Sequence, residues 1–204
     1  LTYAYNKNKI KKISNSLREQ NEKNKSDNGV APLPIYEEGQ SLTALKVVPS
    51  AGIDPVTGQE IFIKRDGTYT FVYDSNDKVI FGDTNPLGTG SITSYLTYKR
   101  FALSCSFLYS FGGSVYNETL ATKVEGANPK YNADERVLND RWKTPGTVAK
   151  YKRIDDTTTP YQTSRFVEKN NFLRMSSLSL SYEVPTNFIQ KYGLKRMFLS
   201  LIHI

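Results

Sequence analysis

The sequence lacks the features that define several common classes of protein. Its 204 residues include a single cysteine, Cys105, and a single histidine, His203. An internal disulfide bond is therefore impossible, and no zinc-ligand pattern is present. No run of about eighteen apolar residues occurs, which is the length that a transmembrane helix needs. A disulfide-bonded fold and a helical membrane protein are thus excluded.

Catalytic motifs are also missing. A Ser-His-Asp or Cys-His arrangement would have to use His203, in the last strand-like segment. Neighbouring acidic residues occur in polar stretches that do not predict the sheltered cleft of a glycosidase. These are Glu37-Glu38, Asp134-Glu135 and Asp155-Asp156. We therefore predict no enzymatic activity, no catalytic residue, no cofactor and no metal site.

The formal charge of +7 does not predict a nucleic-acid partner. Much of the excess is concentrated near the start of the chain, at Lys7, Lys9, Lys11, Lys12, Arg18, Lys23 and Lys25. No helix-turn-helix pattern or aromatic RNA-binding motif accompanies this cluster. We interpret it as a solvated segment.

The most regular stretch of the sequence is Ser91–Phe111, which predicts an antiparallel hairpin with Lys99-Arg100 at its turn. Its second limb alternates, and one row of side chains is apolar: Leu103, Cys105, Phe107, Tyr109 and Phe111. The opposite row holds Ala102 and three serines, with Leu108 as the exception. Each limb has about nine or ten residues, enough for a tilted strand to cross a bilayer. Soluble strands are usually about five or six residues long.

Alternation returns in Asn171–Glu183, where Leu178, Leu180 and Tyr182 oppose a row of serines. Leu1–Lys9 resembles the end of a strand, and Lys195–Ile204 the beginning of another. Thr186–Tyr192 predicts two helical turns, with Thr186 as the cap and Gly193 as the stop. In a membrane barrel, the apolar rows of Leu103–Phe111 and Leu178–Tyr182 would face lipid.

The segments between the strands carry weaker signals. Ile10–Val30 is interpreted as a solvated loop with at most one helical turn, around Ser14–Gln20. A further strand is predicted from about Gly39 to Val48, and Asp66-Gly67 predicts a type I′ hairpin turn. Ser114–Asn170 shows no clear alternation and is predicted to be one long loop.

In a barrel, the connections between successive strands alternate between the two sides of the membrane, so the order of the strands assigns a side to each connection. If the Lys99-Arg100 turn is periplasmic, Ser114–Asn170 lies outside and Val184–Leu194 is periplasmic again, as expected for barrels with short periplasmic turns. The same count, including the strand predicted before Val48, places Lys9–Leu33 on the periplasmic side. That segment is long for such a turn.

Six segments, in order, resemble the C-terminal barrel region of the SusC/RagA-type TonB-dependent outer-membrane transporters of Bacteroidetes. They are Tyr5–Ile10, Glu38–Leu45, Ala51–Phe62, Gly82–Asn117, Arg136–Gly146 and Asn170–Pro185. The resemblance implies an all-β fold, part of a 22-stranded antiparallel transmembrane β-barrel with long extracellular loops. Residues 1–204 would then be the C-terminal portion, without plug and N-terminal strands and truncated at the end.

The resemblance also implies a function. Such transporters take up bulky nutrients, oligosaccharides or peptides, with a SusD-like surface lipoprotein as lid, and the TonB complex opens them through their N-terminal part. The location implied is the outer membrane, with lipid around the barrel. The alternative is a soluble β-rich carbohydrate-binding module. In that case the apolar rows would pack against a second sheet of the same chain.

The candidate contact residues lie in the long loop. Aromatic rings there could stack on sugar rings or anchor a partner. The candidates are Trp142, Tyr131, Tyr151 and Tyr161, together with Arg141. The alternative is that these side chains hold the loop together by packing.

Overall fold

The computed structural model describes residues 1–128, 130–156 and 158–203, and most of its regular structure is β-sheet. The strands are β1 (Thr2–Tyr5), β2 (Ala44–Val47), β3 (Ser50–Ile53), β4 (Glu60–Ile63), β5 (Tyr69–Thr70), β6 (Val79–Asp83), β7 (Gly88–Tyr98), β8 (Phe101–Phe111), β9 (Ser114–Tyr116), β10 (Val167–Lys169), β11 (Phe172–Glu183) and β12 (Phe198–His203).

The helices are few. The α-helices are α1 (Asn15–Ser26), α2 (Arg136–Asn139) and α3 (Thr186–Ile189), and a π-helix spans Leu120–Glu125. Single 3-10 turns cover Ser75–Asp77, Ser164–Phe166 and Gln190–Tyr192. No helix among the described residues is long and apolar enough to cross a membrane.

The chain divides into two compact units. Unit 1 contains Leu1–Asn6, Pro86–Gly112 and the chain from Asn170 onwards, and unit 2 contains Lys7–Asn85 and Gly113–Lys169.

Unit 1 is built on one antiparallel sheet of five strands in the order β1-β7-β8-β11-β12, called the long sheet below. The predicted hairpin is confirmed as β7 and β8, and each strand has 11 residues. Lys99 adopts a left-handed conformation (φ 53°) in the turn between them. Within the described residues the sheet is open, with β1 and β12 at its edges.

The register of the long sheet aligns the apolar rows of neighbouring strands. Leu96 lies opposite Leu103, which lies opposite Leu180, which in turn lies opposite Leu201. Directly opposed residues share a face of a sheet, so these leucines form one apolar band across four strands. The other face is rich in serine and threonine, and Thr93 and Ser106 are hydrogen-bonded there at 3.1 Å. It also carries larger side chains, which include Tyr95, Leu108, Arg174 and Ile202.

A β-bulge in β11 keeps the apolar band continuous. Met175 lies opposite Phe107 and Leu178 opposite Cys105, with the register shift between Met175 and Ser177. Without the extra residue, the three-residue spacing from Met175 to Leu178 would place these side chains on opposite faces.

The two ends of the long sheet differ in the length of their connections. The Lys99-Arg100 turn and the segment containing α3 join strands at one end. In the latter, Pro185 rather than Thr186 occupies the N-cap position, and Gly193 ends the helical turns at φ 72°, as predicted. Strand ends Tyr5, Gly88 and Phe111 lie together at the opposite end.

The prediction that Lys9–Leu33 lies on the same side as the Lys99-Arg100 turn is wrong. Lys7–Asn85 forms one connection from β1 to β7, its hydrogen-bonded neighbour, and so starts and finishes at the Tyr5 end of the long sheet. The strand predicted from Gly39 is shorter than expected. It is the four-residue β2, which pairs with β6 inside unit 2 and is not a strand of the long sheet. Counting it as a strand of the long sheet therefore placed Lys9–Leu33 on the wrong side.

Unit 2 combines three small sheets, β2-β6, β3-β4-β5 and β9-β10, with the helices α1 and α2. Its main apolar cluster gathers the π-helix, α2 and the turn before β10, through Leu120, Ala121, Val124, Val137, Tyr151 and Phe166. The segment predicted to be one long irregular loop is therefore folded around its own core.

Helix α1 is also longer than the single turn predicted. Ser14 caps it by accepting a hydrogen bond from the Leu17 N–H, and Asn21 and Asn24 are buried. The Asn21 side chain accepts from the Tyr36 N–H at 2.8 Å, and Asn24 donates to the Pro34 carbonyl at 2.7 Å. The helix thus packs through amides, so its sequence shows no apolar period.

The hairpin predicted at Asp66-Gly67 is present between β4 and β5, but its turn is not type I′. The Gly67 N–H donates to the Lys64 carbonyl at 2.9 Å, and Gly67 has φ +85°. A type I′ turn needs positive φ at both central residues, here Arg65 and Asp66, and neither has it. The left-handed glycine instead follows the turn, as in longer hairpin loops.

Candidate functional site

The predicted contact residues all belong to unit 2, and only some of them reach its surface. Trp142 lines an open groove of about 560 Å³. Its other lining residues are Val137, Leu138, Arg141, Lys143, Arg153, Ile154 and Asp155. The lining therefore combines three aliphatic side chains and the indole of Trp142 with four charged groups, of which two are arginines, one is a lysine and one is an aspartate.

Trp142 is held in a fixed orientation. Its indole N–H donates to the Pro55 carbonyl at 2.9 Å, and its main-chain N–H donates to the Tyr151 carbonyl at 3.1 Å. The turn at Gly58 approaches the ring so closely that a Cβ there would lie 2.6 Å from it. Gly58 also has φ +72°, so glycine is required on both counts. One part of the indole therefore packs on this turn, while another lines the groove.

Arg141 lies beneath the groove and is only 4% exposed. Its guanidinium donates to the carbonyls of Lys152 and Glu125, at 3.1 and 2.8 Å, and to that of Val124. Burial lowers the pKa of this group from its usual value. Arg141 thus ties the end of the π-helix to the strand-like segment after Tyr151, and its contact with a ligand or partner stays a prediction.

The three predicted tyrosines occupy different environments. Tyr151 is 7% exposed and belongs to the apolar cluster of unit 2, whereas Tyr131 is 75% exposed. The ring of Tyr161 stacks on that of Tyr73 with centroids 4.3 Å apart, and Phe62 packs edge-on against both. Burial raises the pKa of the Tyr73 hydroxyl. Of the five candidates, Trp142 and Tyr131 are the ones best placed to contact a solute.

A buried charge network was not predicted from the sequence. Arg165 donates to both oxygens of Glu60 at 2.8 Å, and its Nη2 donates to Glu125 at 2.9 Å. Both glutamate side chains are nearly inaccessible. Glu60 and Glu125 are far apart from Arg165 in sequence, so no spacing signal could have found the network.

The acidic pairs considered as catalytic groups are engaged by neighbouring basic side chains. The guanidinium of Arg136 donates to Asp134 and lowers the pKa of that carboxyl to about 2. Arg153 binds Asp155 and lowers its pKa. Among the described residues, no group of three or more His, Cys, Asp and Glu side chains could hold a metal ion.

The predicted lipid-facing row lies on the apolar face of the long sheet. Its residues in β8 and β11 align as described above, and Leu201 of β12 is 72% exposed. In the described part of the chain, no second sheet of unit 1 covers this face. The packed rows expected of a soluble sandwich are therefore not observed in this unit.

Aromatic side chains lie towards both ends of the apolar band. Tyr3 stacks on Phe111 with centroids 6.3 Å apart at one end, and Phe101 packs on Tyr182 at 4.7 Å at the other. Eleven residues at about 3.4 Å each, tilted by about 40°, would rise by roughly 29 Å. This rise is enough to cross the apolar band of outer-membrane barrels, which is about 25 Å tall.

Comparison with known proteins gives a consistent result. The chain is 31% identical over 157 residues to TonB-dependent receptor P3 of Formosa agariphila, and the match covers 74% of this chain and 14% of that protein. No protein-family model matches the chain.

Solved structures agree in fold. The RagAB peptide transporter matches with a TM-score of 0.75 and 21% identity, covering 98% of this chain and 22% of that chain. The RagAB peptide importer in its closed-closed state matches with a TM-score of 0.67 and 22% identity, covering 82% of this chain and 19% of that chain.

The chain is therefore a relative of the TonB-dependent receptors, although it spans only about a seventh of the length of the curated relative. Within that class, the resemblance to the SusC/RagA type that the sequence motifs predict is confirmed.

Proposed function

We propose that this chain is the C-terminal portion of the barrel of a TonB-dependent outer-membrane transporter. In this proposal the long sheet is a section of a 22-stranded barrel wall, with its leucine-rich face towards lipid and its serine- and threonine-rich face towards the lumen. The main support is the register that aligns the leucines of β7, β8, β11 and β12. An uncovered apolar face of this size is unfavourable in water and favourable in a bilayer.

The proposed orientation follows from the connections. The end with the Lys99-Arg100 turn and α3 faces the periplasm, because periplasmic turns of outer-membrane barrels are short. Both segments of unit 2 then leave and rejoin the long sheet at its extracellular end. On this basis the Trp142 groove would be open to an incoming solute or a surface partner outside the cell.

The proposed cargo is a bulky nutrient, an oligosaccharide or a peptide, taken up with a SusD-like surface lipoprotein as lid and with energy from the TonB complex. The relative named TonB-dependent receptor P3 supports the coupling to TonB, and the RagAB structures support transport with a second component. In this chain, Trp142 and Tyr131 would contact the cargo or the lid.

The experiment is uptake by cells that carry the full-length gene or its deletion. Fluorescent oligopeptides and oligosaccharides are offered separately, with and without an uncoupler that removes the energy for TonB. The proposal expects energy-dependent uptake of one class, lost on deletion and restored by the intact gene. The same uptake in deleted and intact cells would contradict it.

A further inference from the structure

A small polar pocket in unit 2 carries an excess of positive charge. Its volume is about 140 Å³, and it is lined by one carboxylate, Glu37, and by four cationic side chains. The cations are Lys25, Lys46, Arg65 and Lys78, and the remaining lining residues are Ile35, Ser75 and Asn76. None of these residues belongs to the Trp142 groove.

The pocket is assembled from several elements of unit 2. Lys46 lies in β2 and Lys25 in the last turn of α1. Lys78 follows the 3-10 turn Ser75–Asp77, which Asp74 caps by accepting from the Asn76 N–H at 2.9 Å. The Arg65 main-chain N–H donates to Asp77 at 3.0 Å, which attaches the β4–β5 hairpin to this turn.

Two of the cations are buried and only one of those has a carboxylate partner. The Lys46 ammonium lies 2.7 Å from Glu37, whereas the Lys78 ammonium donates to the carbonyls of Lys25 and Asp27 at 3.4 and 3.1 Å. Lys78 is 4% exposed, and burial lowers its pKa. Among the described residues, no carboxylate lies within 4.0 Å of its ammonium. The charge of Asp27 acts on it from a greater distance and opposes the effect of burial on its pKa. Its charge is therefore only partly compensated.

The cations keep unused hydrogen-bond donors. An ammonium has three N–H donors, so Lys78 has one left after its two carbonyls, and Lys46 has two left after Glu37. Within the described part of the chain, Nη2 is the one side-chain donor of Arg65 that is used, at 3.0 Å from the Lys78 carbonyl. The free donors and the partly compensated charge of Lys78 belong to the same small pocket.

We propose that this pocket binds a single oxyanion, a carboxylate, sulfate or phosphate group, between Lys46, Arg65 and Lys78. A water molecule occupies about 30 Å³ in the liquid, so the volume admits about four or five water-sized atoms. An oxyanion of that size fits, whereas a whole sugar ring does not. The ligand is therefore a free ion or the charged end of a larger solute that enters past the exposed Arg65.

Glu37 sets the strength of this site. Its Oε1 accepts from Lys46, and its Oε2 accepts from Gln40 at 2.6 Å. The carboxylate therefore competes with an incoming anion for Lys46. Removing its charge should strengthen anion binding, whereas removing a cation should weaken it. A purely structural role for these residues does not predict the two opposite effects.

The test is calorimetric titration of the full-length receptor, in detergent, with phosphate, sulfate and acetate at constant ionic strength. We expect saturable binding of at least one anion, weakened about tenfold or more in Arg65→Gln and in Lys78→Met. Glu37→Gln should bind several-fold more tightly. Lys23→Gln is the matched control, because Lys23 is an exposed cation of α1 that does not line the pocket.

Glucose 6-phosphate distinguishes the two sources of the anion. Binding as tight as that of phosphate indicates the charged end of a larger solute, and binding of phosphate alone indicates a free ion. Arg65 is exposed, so its variant tests the site even if Lys78→Met fails to fold. Equal affinities of wild type, Arg65→Gln and Lys23→Gln would overturn the proposal, as would the absence of saturable binding. Uptake of nutrients is measured separately and can fail independently.

Discussion

At the residue scale, Arg165 is the centre of a buried charge network in unit 2. It joins two buried carboxylates, Glu60 of β4 and Glu125 of the π-helix, and its Nη1 also donates to the Lys150 carbonyl at 2.7 Å. Burial lowers the pKa of the guanidinium, but the hydrogen bonds and charges of the two carboxylates together outweigh it and hold the pKa above its usual value. The network therefore links three separate segments of the unit.

Arg165→Met should destabilise unit 2 by about 3–5 kcal/mol, because it leaves two buried carboxylates without a cation. The measurement is the thermal unfolding or protease sensitivity of this region in the full-length receptor. The triple variant with Glu60→Gln and Glu125→Gln should recover much of the loss. As a control, Arg153→Met should have little effect, since the Arg153–Asp155 pair is exposed. Equal stabilities of Arg165→Met and wild type would contradict this account.

Glu37 predicts a specific dependence of stability on pH. The hydrogen bond from Lys46 is the main cause that lowers the pKa of Glu37 below its usual 4.5, although burial opposes it. A lowered folded-state pKa favours the folded state above pH 4.5, and this contribution disappears as the pH falls through the folded-state value.

The stability difference between wild type and Glu37→Gln should therefore be present at neutral pH and vanish on acidification below pH 4.5. Thermal unfolding of both proteins across this range measures it. A difference that stays constant, or grows as the pH falls, would show that the carboxylate charge is not its source.

Single residues were the hardest part to predict from sequence. All five residues were predicted alike as contact residues, but Tyr151 and Arg141 are buried and Tyr161 stacks within an aromatic cluster. Trp142 lines a groove and Tyr131 is exposed, and their contact with a solute or partner stays a prediction. All five share the same polar, irregular stretch, so composition alone does not separate them. Burial depends on contacts with distant segments, such as that of Trp142 with the turn at Gly58.

At the element scale, the long strands were predictable because their side chains alternate over about ten residues. The hairpin β7–β8 and strand β11 follow this pattern closely. Helix α1 was underestimated because asparagines form its buried face and bond to the backbone near Pro34 and Tyr36. Methods based on apolar period cannot detect packing through amides.

Glycine positions in β7 provide a test of the register. A Cβ at Gly88 would overlap the ring of Phe111, which lies directly opposite. Gly88→Ala should therefore destabilise the protein by about 1–3 kcal/mol through overpacking. Gly88→Ala combined with Phe111→Ala should cost less than the sum of the two single variants, because the clash is removed. Unfolding of the four proteins measures this coupling, and strict additivity would contradict the register.

At the scale of the whole molecule, the two units differ in how their apolar side chains are arranged. Unit 1 has one apolar and one polar face and no covering layer among its described residues, whereas unit 2 has its own apolar cluster. The alternation of the strands and the family resemblance predicted the apolar and polar faces of unit 1. The sequence did not predict that Lys7–Asn85 folds together with Gly113–Lys169, since their contacts join residues far apart in the chain.

The central claim is that the apolar face of the long sheet lies against lipid, and Cys105 reports on it directly. Cys105 is the only cysteine of this chain and lies on the apolar face. A spin label is attached to it in the full-length receptor, after removal of other reactive cysteines, in lipid vesicles. The matched control is Ser104→Cys in a Cys105→Ser background, which labels the opposite face of β8.

We predict that the label at Cys105 collides readily with oxygen, which concentrates in lipid, and poorly with a water-soluble nickel chelate. The label at position 104 should be less exposed to oxygen than the label at Cys105. A label at Cys105 that is readily accessible to the nickel chelate and poorly accessible to oxygen would contradict the barrel-wall account.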